Sequence, residues 1–202
     1  MAYSDFTLIR VLKTFDLTLV DRLDMFSDIP KLESSNYLAE TLQYNLPLAL
    51  ASNTEKSRSE MIITPILIEV RKKLQNKVSL FSGIDFTVDA ERGLNGNCDF
   101  IISGSPELLL LRTPVITIVE AKKENINAGL GQCVAEMIAA KLFNEREENN
   151  IRSIYGAVTT GDRWKFLRLN GQTIEVELGE HLISNLDKIL GIIIYGIKDN
   201  MT

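Results

Sequence analysis

The feature that most constrains this chain is an apolar run that ends abruptly in charged residues. Ile116 to Val119 are β-branched, which is typical of a strand buried on both faces of a sheet. The run continues into Glu120-Ala121-Lys122, and alternation along a strand places the Glu120 and Lys122 side chains on one face. Ionised groups at the edge of a buried sheet are costly unless they are paired, hydrogen-bonded or bound to a metal. The run therefore predicts a polar site at the end of a buried strand.

A second strand pattern upstream adds another carboxylate. Asp99 opens the stretch Asp99-Phe100-Ile101-Ile102, which we expect to lie alongside the first strand. Mg²⁺ prefers oxygen ligands and keeps several waters, so two carboxylates and a substrate phosphate are enough to hold it. An adjacent lysine positions a water molecule or stabilises negative charge that develops on the phosphate. Asp99, Glu120 and Lys122 therefore predict a site for a hard cation and a phosphate.

The remaining pattern predicts one α/β domain with a mixed sheet. Predicted helices cover residues 54–74, 129–147 and 181–198, and predicted strands cover residues 84–89, 99–103, 115–121, 155–160, 164–169 and 173–178. Pro65 either kinks the first of these helices or lies on a face where the lost hydrogen bond is tolerated. Residues 17–52 show helical periodicity with breaks at Pro30 and Pro47. The whole chain, 1–202, is thus predicted as a single domain, with a helical arm over 1–52, a core over 53–178 and a C-terminal helix over 179–202.

Charge, cysteine content and hydropathy indicate the kind of surface and the cellular compartment to expect. The net charge of -5 argues against a broadly basic surface but leaves room for a local basic patch. Cys98 and Cys133 lie too far apart for a zinc motif, so buried free thiols are expected. The N-terminus shows no secretory signal, and the apolar run Ile189–Tyr195 is too short to span a bilayer. We therefore expect a cytoplasmic protein with no membrane partner.

Asp99 together with Glu120-Ala121-Lys122 resembles the signature of the PD-(D/E)xK nuclease superfamily. The likeness is to restriction-endonuclease-like members, including the N-terminal nuclease domains of type I restriction subunits, and it covers about residues 54 to 170. Cys98 stands where the namesake proline would be, a position that varies in the superfamily.

The resemblance implies a restriction-endonuclease-like α/β core and a Mg²⁺- or Mn²⁺-dependent nuclease that cleaves DNA. It also implies that Asp99 and Glu120 are metal ligands and that Lys122 is the catalytic lysine.

Two further residues fit positions that the resemblance singles out. Glu60 lies in the first predicted helix, where many members carry an extra acid, but it is equally explained as an acid favoured by the helix dipole. Gln132 lies in the helix after the lysine strand, where some branches have a glutamine, and it is otherwise an ordinary helix-start residue. Glu136 lies four residues further on the same helix face and is expected to be solvated.

Basic residues form a candidate DNA patch. Its members are Arg163, Lys165 and Arg168, which lie around Trp164 in sequence, and Lys123, which follows Lys122. Trp164 either stacks on a base or packs in the core.

A different class of function is a catalytically silent nuclease-fold module for binding or assembly. In that case the N-terminal arm and the apolar C-terminal helix, with Ile189, Ile192 and Ile193, are candidates for a homodimer interface.

Overall fold

The computed structural model describes residues 1–149 and 151–200. The helices are α1 (Leu8–Thr14), α2 (Asn36–Ser52), α3 (Glu55–Arg58), α4 (Thr64–Lys73), α5 (Ile126–Arg146) and α6 (Leu186–Lys198). The strands are β1 (Thr18–Arg22), β2 (Ser79–Asp85), β3 (Asn97–Ser103), β4 (Val115–Ala121), β5 (Ile154–Thr159), β6 (Arg163–Asn170), β7 (Thr173–Glu177) and β8 (His181–Leu182). Short 3-10 turns cover Tyr3–Asp5 and Ile183–Asn185.

Within the described residues the strands form one mixed, open sheet. Its order is β1-β7-β6-β5-β4-β3-β2, and the short β8 pairs with β6. The pairs β4·β5 and β1·β7 are parallel, and the other neighbours are antiparallel. The fully buried β4 lies in the interior of the sheet, with β3 and β5 as its neighbours. The predicted α/β class with a mixed sheet and flanking helices is confirmed.

Helices cover both faces of the sheet and create two apolar cores. On one face, α5 packs on β4 and β5, and α1 and the N-terminal turn pack on α5. On the other face, α2, α4 and α6 share a second core with residues of β3 and β4. Ile118 belongs to the α5 core whereas Val119 and Ala121 belong to the other, so Glu120 shares the α5 face with Ile118.

The first predicted helix is built from three pieces. Thr54 caps α3, because its side chain accepts a hydrogen bond from the Ser57 backbone N–H at 3.0 Å. A π-helical segment over Ser59–Ile63 then joins α3 to α4. Pro65 lies in the first turn of α4, directly after this π-helical segment, so a change in helical hydrogen bonding accompanies the proline.

The N-terminal residues differ from the predicted helical arm. Thr18–Arg22 is a strand that pairs with β7, and α2 continues through Pro47 to Ser52. Pro47 was expected to break the helix, but it occupies an exposed position of α2. Leu38 and Leu42 of α2 are buried in the core, so this segment covers the sheet.

Two other element boundaries move. The strand predicted over residues 84–89 is observed at Ser79–Asp85, and the last helix begins at Leu186 because His181 belongs to β8. The His181 ring contacts the Glu177 carboxylate at 2.9 Å.

The C-terminal helix α6 is a core element. Ile189, Ile192 and Ile193 are at most 4% exposed, so the prediction that they form a dimer interface is wrong. Cys98 and Cys133 are buried free thiols, as predicted. In residues 1–149 and 151–200, the helices are all too short or too polar to cross a membrane.

Candidate active site

Asp99 and Glu120 meet where β3 begins and β4 ends. Phe100 pairs with Val119 in the antiparallel ladder, so the preceding Asp99 lies across from the following Glu120. Asp99 Oδ2 accepts a hydrogen bond from the Ala121 backbone N–H at 2.8 Å, which fixes this carboxylate against β4. The predicted alignment of the two strands is confirmed.

Lys122 lies on the same face as Glu120. The Lys122 backbone N–H donates to the Thr159 carbonyl at 2.8 Å, so pairing with β5 continues one residue past β4. Its ammonium group donates to Glu120 Oε1 in a short ion pair and to Gln132 Oε1 at 3.2 Å. The structure therefore brings Glu120, Lys122 and Gln132 together, as predicted.

Glu120 is a buried carboxylate with one cationic partner. It is 1% exposed, and its Oε2 atom has no hydrogen-bond partner. Burial and the nearby Asp99 charge raise the pKa of Glu120 to about 8, although Lys122 opposes the shift. Burial lowers the pKa of Lys122, but the Glu120 carboxylate outweighs it and the net shift is upward. An additional cation beside Glu120 Oε2 would relieve this excess of negative charge.

Gln132 links the site to a buried acid that sequence reasoning placed in solvent. Gln132 lies in the second turn of α5, and its Nε2 donates to Glu136 Oε1 at 3.0 Å. Glu136 is fully buried and its Oε2 has no partner, so the expectation of a solvated residue is wrong. Burial, and then the Glu120 charge, raise the pKa of Glu136 well above its ordinary value.

Glu60 lies at the rim of this site. It is in the π-helical segment, and its side chain, 61% exposed, pairs with Lys56 at 3.6 Å. Glu60 and Asp99 line one cleft of about 320 Å³. It lies between α3 with the adjoining π-helical segment on one side and strands β2 and β3 on the other. Glu55 lines the same cleft, and its charge contributes to raising the pKa of Glu120.

The candidate DNA patch is not a continuous surface. Lys165 is buried and donates to the Leu178 carbonyl at 3.1 Å, and Arg168 pairs with Glu175 at 2.6 Å. Lys165 is therefore too buried for the predicted DNA contact, and the partly exposed Arg168 is engaged by Glu175. Trp164 is fully buried and donates to the Gly161 carbonyl, so it packs in the core and is not available for base stacking.

Two of the four basic residues remain near the site. Lys123 is half exposed beside Glu124, and Arg163 donates to the Glu124 carbonyl at 2.8 Å. Lys123 follows Lys122 directly and Arg163 is joined to the same segment through Glu124, so both remain candidates for contact with a phosphate.

The donor set suits a hard cation. In the described part of the chain, no group of three or more His, Cys, Asp or Glu side chains is close enough to hold a metal ion. Asp99 and Glu120 alone supply two carboxylates, and the unpartnered Glu120 Oε2 is a free oxygen ligand. Mg²⁺ or Mn²⁺ accepts such a set when waters and a phosphate complete the coordination.

Sequence reasoning missed Glu55 as a member of the cleft and Glu136 as a buried acid. Glu55 carries a helix-start signal, and its proximity to Glu120 depends on how α3 packs on the sheet. Glu136 has a local signal, because Gln132 and Glu136 are four residues apart and are the two polar side chains in the apolar stretch Gly129–Ala140 of α5.

Searches of protein-family models, curated proteins and solved structures return no match to this chain. The case for a function therefore depends on the site geometry and on the residues that carry the resemblance.

Proposed function

We propose that this protein is a metal-dependent nuclease that hydrolyses DNA phosphodiester bonds. One observation carries the proposal: Glu120 is buried beside Asp99 and Lys122, and it keeps an unpartnered oxygen at the end of a buried strand. An unpartnered buried oxygen is accounted for by a bound ion or water molecule, and at Glu120 the neighbouring Asp99 carboxylate favours an ion.

In this proposal Asp99 and Glu120 hold Mg²⁺ or Mn²⁺. The ion would supply Lewis-acid activation of a water molecule and neutralise charge on the phosphate. Asp99 is already oriented by the Ala121 N–H, and Glu120 by Lys122, so both carboxylates are positioned before the substrate arrives. Preorganised charge of this kind is the main source of transition-state stabilisation in phosphoryl transfer.

Lys122 acts on the reacting atoms. Its ammonium group has three N–H donors, of which Glu120 and Gln132 take two. The third is available to orient the attacking water or to stabilise the phosphate oxygens. Hydrolysis then forms a bond from the water oxygen to phosphorus and breaks the bond to the leaving nucleotide oxygen, which takes up a proton while the water loses one.

The supporting roles follow from position. Glu60 and Glu55 line the cleft beside Asp99, where an acid orients water molecules around a bound cation. Gln132 holds Lys122, and Lys123 and Arg163 are placed to contact the phosphates that flank the scissile bond.

The test is cleavage of supercoiled plasmid and labelled oligonucleotides with Mg²⁺ or Mn²⁺. We expect Glu120→Gln to abolish cleavage, and Lys122→Met to reduce the rate by about 100-fold or more, because each removes charge at the reacting centre. Glu107→Gln is the matched control, since Glu107 is exposed on the loop at the other end of β3 and β4. A wild-type chain inactive with both metals on single- and double-stranded DNA would overturn the enzymatic proposal.

A second candidate is an assembly module formed by two copies of the chain, and the surface of α2 favours it. Tyr37, Tyr44 and Leu48 are 67%, 74% and 48% exposed at helical spacing. Glu40 is the single charged residue of the 17 in α2. Because the chain carries a net charge of -5, a contact between two copies is least opposed where few acids lie, and α2 offers such a face with Glu40 as its one acid.

Light scattering and calorimetry separate the two candidates. The assembly proposal predicts a dimer that Tyr44→Glu converts to a monomer, with Glu107→Gln, on the exposed loop between β3 and β4, as a control that leaves the dimer intact. It also predicts no heat on titration with Mn²⁺. The nuclease proposal predicts Mn²⁺ binding that Asp99→Asn removes, whatever the oligomeric state.

A further inference from the structure

We propose that Glu136 is a positioning residue that directs Lys122 through the side-chain amide of Gln132. A continuous chain of hydrogen bonds runs from Glu136 to Gln132, from Gln132 to Lys122 and from Lys122 to Glu120. The role of Lys122 in catalysis rests on the proposed nuclease function, whereas the positioning itself is a property of the folded chain.

The donors and acceptors of these side chains fix the orientation of the Gln132 amide. A lysine ammonium group only donates hydrogen bonds, so the Gln132 oxygen must face Lys122. The Gln132 NH₂ group then faces Glu136, whose Oε1 accepts at 3.0 Å. Glu136 keeps an accepting oxygen whether its carboxyl group is ionised or neutral, so the orientation of the amide holds in both states.

Burial makes Glu136 the least mobile side chain in this series of hydrogen bonds. Glu136 is fully buried, whereas Gln132 is partly exposed and Lys122 keeps 23% of its side chain exposed. A side chain packed on all sides has few rotamers, and long partly exposed side chains have many. Glu136 therefore restricts Gln132, and Gln132 restricts Lys122.

The consequence concerns the free N–H of Lys122. With Gln132 and Glu120 on two sides of the ammonium group, the remaining N–H has a defined direction. Without Glu136 the Gln132 amide is free to rotate, and its NH₂ end cannot accept from Lys122. Lys122 would then be held by Glu120 alone and would sample several orientations.

The test uses the protein without metal or DNA and reads the Lys122 side chain by NMR with isotope-labelled lysine. We expect Gln132→Leu and Glu136→Leu to shift the Lys122 side-chain signal to a similar extent, and the double variant to shift it no further. Such non-additivity shows that Glu136 acts through Gln132. Glu136→Gln, which retains an accepting oxygen, should leave the Lys122 signal close to that of the wild type.

Glu145→Leu is the matched control, because it makes the same change on the exposed side of α5. Glu136→Met replaces the leucine variant if the latter fails to fold. A Glu136→Leu or Glu136→Met variant with the wild-type Lys122 signal would overturn the proposal, as would additive shifts in the double variant.

Cleavage kinetics give a second reading that separates this proposal from the nuclease function. If the chain cleaves DNA, Glu136→Leu should lower kcat by about 10-fold to 100-fold, the range typical of residues that orient a catalytic group, with little change in KM. Glu136→Gln should recover most of that loss, which a purely structural role does not predict. If the chain cleaves no DNA, the nuclease proposal fails and the NMR result still decides the role of Glu136.

Discussion

Glu120 and Glu175 are buried carboxylates in the same sheet, and their partners differ completely. Glu175 on β7 receives Arg22 at 2.8 Å on one oxygen and Arg168 at 2.6 Å on the other. Glu120 on β4 has Lys122 on one oxygen and no partner on the other. Two carboxylates that are both buried can therefore have different roles. Glu175 is saturated by the protein, and Glu120 retains capacity for a ligand.

The pKa values of Glu175 and Glu120 shift in opposite directions because the two carboxylates have different numbers of cationic partners. Burial acts to raise the pKa of Glu175, but the hydrogen bonds and charges of Arg168 and Arg22 outweigh it, and the pKa is lowered. For Glu120, burial and the Asp99 charge outweigh the single lysine, and the pKa rises to about 8. The ionised form is stabilised by folding in one case and destabilised in the other.

The largest expected effect comes from removing the saturated carboxylate. Glu175→Ala leaves Arg22 and Arg168 without their shared partner, so we expect the free energy of unfolding to fall by about 2–3 kcal/mol. This lies below the usual range for a broken buried pair, since both arginines are partly exposed. Urea denaturation at neutral pH measures the loss, and a variant as stable as the wild type would remove the contrast with Glu120.

A smaller effect of opposite sign is expected at Glu120. The folded-state pKa of about 8 exceeds the ordinary value of 4.5, so between these limits the folded state binds more protons than the unfolded state. Stability contributed by the neutral carboxyl is present below about pH 4.5 and is lost as the pH rises to about 8. Glu120→Gln should therefore raise the free energy of unfolding at pH 8 by about 1–2 kcal/mol.

Denaturation of the wild type and of Glu120→Gln across pH 5 to 8 checks this sign. The wild type should lose stability more steeply than the variant over that range, while Glu136, whose pKa is also raised, keeps some slope in both. A variant less stable than the wild type at pH 8 would show that the Glu120–Lys122 pair stabilises the fold as Glu175 does.

The smallest effect is expected at Gly129, where α5 passes over Lys122. A Cβ atom there would lie 2.7 Å from a Val158 methyl group and 3.0 Å from Lys122 Cγ. Gly129→Ala should cost about 1 kcal/mol through overpacking and displace Lys122 from Gln132. Thermal unfolding and the Lys122 NMR signal measure the two parts, and Gly179→Ala, where a Cβ meets open space, is the control.

Much of the fold could be predicted because its signals are local. The bounds of β4 match the prediction at both ends, since a β-branched run with flanking breaks specifies a buried strand. The two-residue turn between β6 and β7 is formed by Gly171 and Gln172, and Gly171 has the positive φ of 60° that a glycine at the first turn position supplies. β1 was missed because a five-residue, largely exposed strand has almost no alternation to read.

The basic residues show where local reading fails. Arg163, Lys165 and Arg168 look alike in sequence, but Lys165 donates to the Leu178 carbonyl and Arg168 pairs with Glu175. Pairing between β6 and β7 places Glu175 directly opposite Arg168, and the charge pattern of β6 alone does not report that partner. A count of positive charges therefore overestimates the surface available to nucleic acid.

The adjacency of Glu120 and Lys122 at the end of a buried strand follows from the sequence alone, because alternation along a strand is set by neighbouring residues. Burial of Glu136 required the tertiary structure. α5 is covered on one side by β4 and β5 and on the other by the N-terminal segment, whose backbone approaches Gly131 so closely that a Cβ would lie 2.3 Å from the Phe6 carbonyl oxygen. The sequence pattern within α5 does not show that the N-terminal segment covers this helix. Glu136, which was expected to be solvated, is therefore buried.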